Sequence, residues 1–371
     1  MIEIDRWAKS EAPLLSHIED LQRKFEMQVL NRYYLSAPGT KNLLHFMSHL
    51  MDLSNCTLCP RECGVNRVAG ELGYCGIPAE IRAARAALMY YEEPCISGAA
   101  GSGAIFFTGC NLGCRFCQNI AISKGLIHSS ESANAISYTE GLPLDSGKLC
   151  DVMLHLQDQR ASNINLVTPS HVLPVLIPAL EQAKSHGLVI PVVYNTAAYE
   201  KVEALKALDG LIDIYLPDYK YYSEELARAY SGATGYPDIA RKAIAEMVRQ
   251  CPEPLFADGS HELADTEEVP LMKRGVIVRH MVMPGHTEDS KAVIQELYDS
   301  YGNHIFLSIM NQYTPMPQCS DDPLLSRCVT KKEYDEVVDF AIFLGVENGF
   351  LQEGGTISQS FIPVWDGTGL R

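Results

Sequence analysis

The sequence predicts an α/β fold, a largely parallel sheet flanked by helices, from two observations. From Gly103 onward, short apolar runs alternate with longer amphipathic ones, and polar residues crowd the positions just after each short run. Cysteines gathered into two tight groups then bear on what such a sheet carries.

The strand candidates, in order, are Ala104–Thr108, Ile164–Thr168, Ile190–Tyr194, Leu211–Leu216, Val276–Met283 and Ile305–Met310. Each is short, apolar and rich in β-branched or aromatic residues, as strands covered on both faces are. Between most of them lie three-to-four spaced apolar patterns at Leu149–Gln159, Val172–His186, Tyr199–Leu208, Ile239–Gln250 and Ser290–Tyr301, with a last helix at Lys331–Leu344. Periodicity alone leaves open whether the sheet is flat or rolled into a barrel. Ahead of it, residues 1–53 read as an N-terminal helical segment, with Leu14, Leu15, Ile18 and Leu21 on one face and a break at Ser36-Ala37-Pro38-Gly39. Residues 54–100, rich in Cys, Gly and Pro, read as a metal-binding segment with little periodicity outside Ile81 to Tyr91, and residues 101–371 as the main domain with a C-terminal tail.

A chain of 371 residues, 47% hydrophobic, is long enough to bury a core without cross-links. Its 46 acidic against 30 basic side chains give a formal charge of −16, which repels phosphate backbones and argues against a nucleic-acid partner. No apolar run reaches the roughly 18 residues that span a bilayer, and Met1-Ile2-Glu3-Ile4-Asp5 lacks a signal-peptide layout, so a cytoplasmic protein without a membrane partner is expected. Clustered thiols in a reducing compartment read as metal ligands rather than disulfides.

Ligand sites of parallel sheets sit at the carboxyl ends of the strands. Those ends read Gly109-Cys110, Pro169-Ser170-His171, Asn195-Thr196, Asp218 and Lys220, Gly285-His286, and Asn311-Gln312. The first opens the run Cys110-Asn111-Leu112-Gly113-Cys114-Arg115-Phe116-Cys117, spaced Cys-x3-Cys-x2-Cys. Three thiolates on one loop can hold three irons of a cubane and leave the fourth open, whereas structural centres are normally closed by four ligands. A zinc knuckle completed from elsewhere is the plain alternative.

This run resembles the signature of the radical S-adenosylmethionine (SAM) superfamily. Within it the chain is similar to the pyruvate formate-lyase activating enzymes, and more narrowly, from about Cys56 onward, to the PflX-like group. The motifs that carry this are Cys-Thr-Leu-Cys-Pro-Arg-Glu-Cys at 56–63, the triad, Asn-Leu-Val-Thr-Pro-Ser-His at 165–171 and Tyr-Leu-Pro-Asp-Tyr-Lys at 215–220. The resemblance implies a partial (β/α)6 radical SAM barrel and a [4Fe–4S] cluster on Cys110, Cys114 and Cys117. It also implies reductive cleavage of SAM to methionine and a 5′-deoxyadenosyl radical that abstracts a hydrogen atom, in the activating enzymes from a glycine Cα of a partner enzyme. Flavodoxin or ferredoxin would supply the electron.

Carried over residue by residue, Phe116 matches the aromatic near the adenine, Asp218 and Lys220 match an Asp-x-Lys facing SAM, and Arg279 matches a fifth-strand arginine. Asn195 and Thr196 stand where activators place ligands for ribose or a cation, or else cap the next helix. One departure is plain: activators carry Gly-Gly-Glu after the second strand, and this chain has Thr168-Pro169-Ser170-His171. Ser170, a backbone carbonyl or neutral His171 would then receive the SAM ammonium; His171 could instead carry a substrate proton or cap the helix at Val172.

Cys56, Cys59, Cys63 and Cys75 form the other group, and four ligands favour a closed centre, either zinc or a second iron–sulfur cluster. The tail through Phe361, Trp365 and Gly367 is expected to dock on the domain. It holds no glycyl-radical motif, so the chain is not the acceptor. Two rivals remain: a radical SAM enzyme acting on a small molecule or another protein residue, and a non-catalytic iron–sulfur or zinc protein.

Overall fold

In a computed structural model the described residues are 50–126, 139–262, 269–352 and 362–371. The expected N-terminal helices therefore lie outside the described residues up to Leu50, as do Glu353-Gly354-Gly355 and Phe361. Leu53–Arg371 is one compact unit.

Its strands are β1 (Ile81–Met89), β2 (Ser102–Phe107), β3 (Leu142–Leu144), β4 (Ile164–Val167), β5 (Val192–Thr196), β6 (Ile214–Pro217), β7 (Leu255–Phe256), β8 (Met272–Met281), β9 (Phe306–Met310) and β10 (Gly349–Leu351). They make one sheet in the order β10-β9-β8-β6-β5-β4-β2-β1-β3, with β7 paired to β8. From β2 to β10 every neighbouring pair along that path is parallel. Parallel neighbours joined through helices take right-handed crossovers as a rule, which puts the helices on one face and curls the sheet around the other. The result is a partial (β/α)6 barrel, extended by β10 and by an antiparallel flap of β1 and β3.

The apolar runs work as expected because both faces are covered. All residues of β2, β5, β6 and β9 are buried. Boundaries shift where the backbone has other partners. The third strand starts at Val192 rather than Ile190, because Pro191 has no N–H to give a ladder. Its end extends to Asn195 and Thr196. The fourth starts at Ile214, since the Leu211 N–H is taken by the Leu208 carbonyl in a turn and Asp213 pairs with Val192. The fifth starts earlier, at Met272, where it meets β7. The helix expected at Tyr199–Leu208 contracts to Val202–Lys206, leaving Tyr199 and Glu200 to the loop.

Ile81–Met89 is an antiparallel strand on β2, so the 54–100 stretch joins the main sheet. The tail docks along β1: Gly367 N–H donates to the Ala84 carbonyl at 3.0 Å, Ala86 N–H to the Thr368 carbonyl at 2.9 Å, and Trp365 stands edge-on to Phe106 with ring centres 5.2 Å apart. No described helix is long and apolar enough to cross a membrane.

Candidate functional site

Polar side chains meet at the carboxyl ends of the parallel strands, around a cavity of about 280 Å³. Cys110, Cys114, Phe116, Cys117, Asn195, Thr196, Asp218, Lys220 and Arg279 all line it. Met89, Phe106, Val167, Met281, Met310 and Pro363 make its apolar wall.

The cysteine loop leaves β2 through Gly109, at φ 87°, and turns again at Gly113, at φ 73°. Both values lie where glycine alone is unstrained. Polar hydrogens already face the sulfurs: the Leu112 N–H donates to Cys110 Sγ at 3.4 Å and the Ser231 hydroxyl to Cys114 Sγ at 3.2 Å. Burial raises the Cys114 thiol, with Lys220 opposing, and pushes Cys117 up to about 12, helped by the neighbouring Cys114 and Cys110. Thiols so placed stay protonated on their own. A metal that displaces the protons relieves that condition, so this donor set fits a thiolate-bound cluster. Phe116 is 5% exposed, packed against Tyr313 and Tyr221 with ring centres 5.9 and 6.4 Å away.

Opposite the cysteines lies an ionic network. Arg279, on β8, donates from Nε to Asp218 Oδ1 at 2.7 Å, from Nη1 to Glu92 Oε2 at 3.0 Å and from Nη2 to Asn195 Oδ1 at 2.7 Å. Lys220 Nζ donates to the other Asp218 oxygen at 2.7 Å. Burial alone would raise Asp218, but Arg279 and Lys220 outweigh it and hold the carboxyl below its ordinary value. For Glu92 burial wins over the Arg279 charge and the carboxyl is raised.

Glu92 lies in the stretch 54–100, where no local pattern marks it, and the chain leaving β1 brings it to the cavity. Thr168 also lines the cavity, in a left-handed conformation with φ 58°, a strained state for a β-branched residue. That turn aims the next residues elsewhere. Ser170 and His171, expected at the SAM ammonium, do not line the cavity. The Ser170 hydroxyl donates to the buried Glu200 carboxylate, and His171 Nε2 bonds the Thr108 carbonyl at 2.7 Å. Burial lowers His171 to about 4, so it is neutral. The Thr196 hydroxyl also donates to Glu200, at 2.5 Å.

Cys56, Cys59, Cys63 and Cys75 lie near enough to act on one another's charge. Burial takes the Cys59 thiol up to about 12, with Cys75, Cys56 and Cys63 adding to it. Beside them Arg67 is 1% exposed, and its guanidinium meets the carbonyls of Pro78 and His171 and, at 3.9 Å, Cys56 Sγ. No carboxylate pairs with it among the described residues. A buried cation needs a counter-charge, and thiolates are what this neighbourhood offers. Among the described residues no three His, Cys, Asp or Glu side chains are gathered to hold a single ion. Zinc draws its sulfurs to about 2.3 Å of one point, whereas a cubane spreads its thiolates over separate iron corners.

No family model matches the chain. An uncharacterised protein of Methanocaldococcus jannaschii is 28% identical over 287 residues, which cover 77% of this chain and 74% of that one. Among solved structures, a domain of a pyruvate-formate lyase-activating enzyme from Bacteroides vulgatus overlaps 55% of this chain and 94% of its own, at 12% identity and a TM-score of 0.33. Streptococcus suis SuiB bound to S-adenosylmethionine overlaps 66% of this chain at 12% identity and a TM-score of 0.39. SuiB bound to precursor peptide SuiA overlaps 67%, at 12% identity and 0.41. These overlaps take in 48% and 47% of the two SuiB chains. Similarities of this size leave the reading of the site to the chain's own residues.

Proposed function

We propose that this chain is a radical SAM enzyme, with a [4Fe–4S] cluster on Cys110, Cys114 and Cys117. The observation that carries the reading is that the three thiols and the Asp218–Lys220 pair face one cavity at the carboxyl ends of a parallel sheet. A cluster bound there would supply the electron that splits the sulfonium of SAM.

The chain's own groups divide the binding work by the atoms they have left. Lys220 gives one N–H to Asp218 and keeps two for a ligand carboxylate. Asn195 Oδ1 is taken by Arg279, so its amide N–H groups remain as donors for a ribose hydroxyl. The Thr196 hydroxyl hydrogen is committed to Glu200, which leaves lone pairs for an ammonium and takes over the role expected of Ser170 or His171. Arg279 has three nitrogens engaged by protein, so it orients Asp218, Asn195 and Glu92 instead of clamping the ligand. Phe116 offers its ring to the adenine.

Within this reading the substrate is a glycine of a partner enzyme, as in glycyl-radical activation, and flavodoxin or ferredoxin is the electron donor. The cysteines at 56–75 hold a second centre, zinc or iron–sulfur, whose negative charge balances Arg67. The test is anaerobic reconstitution with iron and sulfide, then addition of SAM and reductant. Methionine and 5′-deoxyadenosine are expected in wild type and not in Cys114→Ala. About four irons per chain would assign zinc or nothing to the first group, and about eight a second cluster. A folded chain that takes up no iron at the triad and ignores SAM overturns the reading. Deoxyadenosine formed equally well with no protein partner would replace the glycyl substrate by a small molecule.

A further inference from the structure

Arg61 stands between Cys59 and Cys63, yet its guanidinium reaches across to the triad loop. Nε donates to the Asn111 carbonyl at 2.8 Å and Nη2 to the Leu112 carbonyl at 2.8 Å. Nη2 also donates to the Ser231 carbonyl at 3.0 Å, and Nη1 to that of Gly232 at 2.5 Å. Asn111 and Leu112 lie between the first two triad cysteines. Ser231 and Gly232 end the helix Glu224–Ser231, where carbonyls lack partners within the helix. One cation thus ties two sets of carbonyls together, and Ser231 passes the tie on by donating to Cys114 Sγ.

The rest of the four-cysteine segment closes round the same loop. The Tyr74 ring stacks under the Arg61 guanidinium at 3.7 Å, and its hydroxyl donates to the Leu112 carbonyl at 3.3 Å. A Cβ at Gly113 would meet that hydroxyl at 2.6 Å, and one at Gly109 would meet the Cys75 carbonyl at 2.5 Å. The loop's two glycines are therefore moulded against Tyr74 and Cys75. Glu62, next to Arg61, pairs with Lys201 at 2.5 Å.

We propose that Arg61 is a positioning residue through which the Cys56–Cys75 segment sets the shape of the Cys110–Cys114 loop, so that this segment governs how firmly the triad holds its cluster. The inference rests on the triad being a cluster site. The segment touches the site through backbone carbonyls and not through the cavity, so it acts on the loop and not on the ligand. A lysine cannot replace the fork: a point charge with three donors cannot span four carbonyls on two elements.

Two measurements test this. In the metal-free chain, alkylation of Cys114 reports how often the loop opens. Arg61→Gln is expected to speed it about tenfold and Arg61→Lys by less, with the melting temperature of each variant close to wild type. In the reconstituted chain, iron release from the triad to a ferrous chelator is expected to be 10- to 100-fold faster in Arg61→Gln, the range typical when a group supporting a metal ligand is removed. The electron paramagnetic resonance line shape of the reduced cluster should change as well. Wild-type alkylation and iron-release rates in Arg61→Gln overturn the proposal. Should Arg61→Gln not fold, Arg61→Lys decides it by the same two rates, wild-type values again overturning it. A wild-type chain that takes up no cluster, with alkylation still faster in Arg61→Gln, would sink the proposed function and leave the loop clamp standing.

Discussion

Arg279 and Asp218 meet across the ends of β8 and β6, joined side chain to side chain at 2.7 Å and backbone to backbone by an isolated bridge. Both side chains are largely buried, at 13% and 17% exposure, and Glu92 completes the set. Removing the arginine takes from buried Glu92 its cation and leaves Asp218 with Lys220 alone. Arg279→Met should therefore cost about 3–5 kcal/mol of folding stability, the range for breaking a buried pair. Urea denaturation of the metal-free protein measures it. A loss under about 1 kcal/mol would mean that the network contributes orientation and little else.

What the sequence discloses follows from how local each constraint is. The parallel strands announce themselves because burial on both faces writes a continuous apolar run, as in Ile105-Phe106-Phe107 and Ile214-Tyr215-Leu216. The triad is legible because its ligands share one loop. Ile81–Met89 is not, since alanines and two arginines give a weak strand signal and its partner lies beyond a turn. Glu92 joins the site by pairing with Arg279 and accepting from Asn165, contacts across 187 and 73 positions that no local pattern encodes. Ser170 and His171 leave the cavity at a turn that nothing in Thr-Pro-Ser-His foretells, where Thr168 takes a positive φ.

Gly109 shows the opposite case, where one missing side chain is essential. Its φ is 87°, and a Cβ there would approach the Cys75 carbonyl and Ile77 Cγ1 at 2.5 Å each. Gly109→Ala combines backbone strain with a clash against main chain that cannot swing away. It should cost at least about 2 kcal/mol. Thermal melting of the metal-free chain reads this directly, and an unchanged transition would show that the loop and the four-cysteine segment do not press on each other.

Glu200 makes stability depend on pH near neutrality. It is 3% exposed, accepts hydrogen bonds from Ser170, Thr196 and Tyr194, and burial raises its carboxyl to about 7 despite them. The folded state therefore holds a proton that the unfolded chain releases near 4.5. Its contribution is fully present below 4.5 and declines as pH rises to about 7, by an amount on the order of 3 kcal/mol. Glu200→Gln cannot ionise, so the difference in stability between variant and wild type should grow in the variant's favour over that window. Parallel stability curves from pH 4.5 to 7.5 would rule the assignment out.

Lys220 permits a test of ligand recognition that does not pass through turnover. Its ammonium is fixed by Asp218 at 2.7 Å, beside Cys114, and has hydrogens to spare toward the cavity. A ligand carboxylate placed there gains a charge-assisted hydrogen bond, about 1.5–3 kcal/mol, or roughly 10- to 100-fold in affinity. Wild type should thus bind SAM more tightly than decarboxylated SAM by that factor. In Lys220→Met the discrimination should fall by that factor, because the variant loses the cation while the methylene stem and its packing are kept. Asp218 retains Arg279, so the variant should stay folded. Equilibrium dialysis with both ligands on the reconstituted protein makes the comparison. A discrimination as large in Lys220→Met as in wild type would move the carboxylate contact from Lys220 to another group.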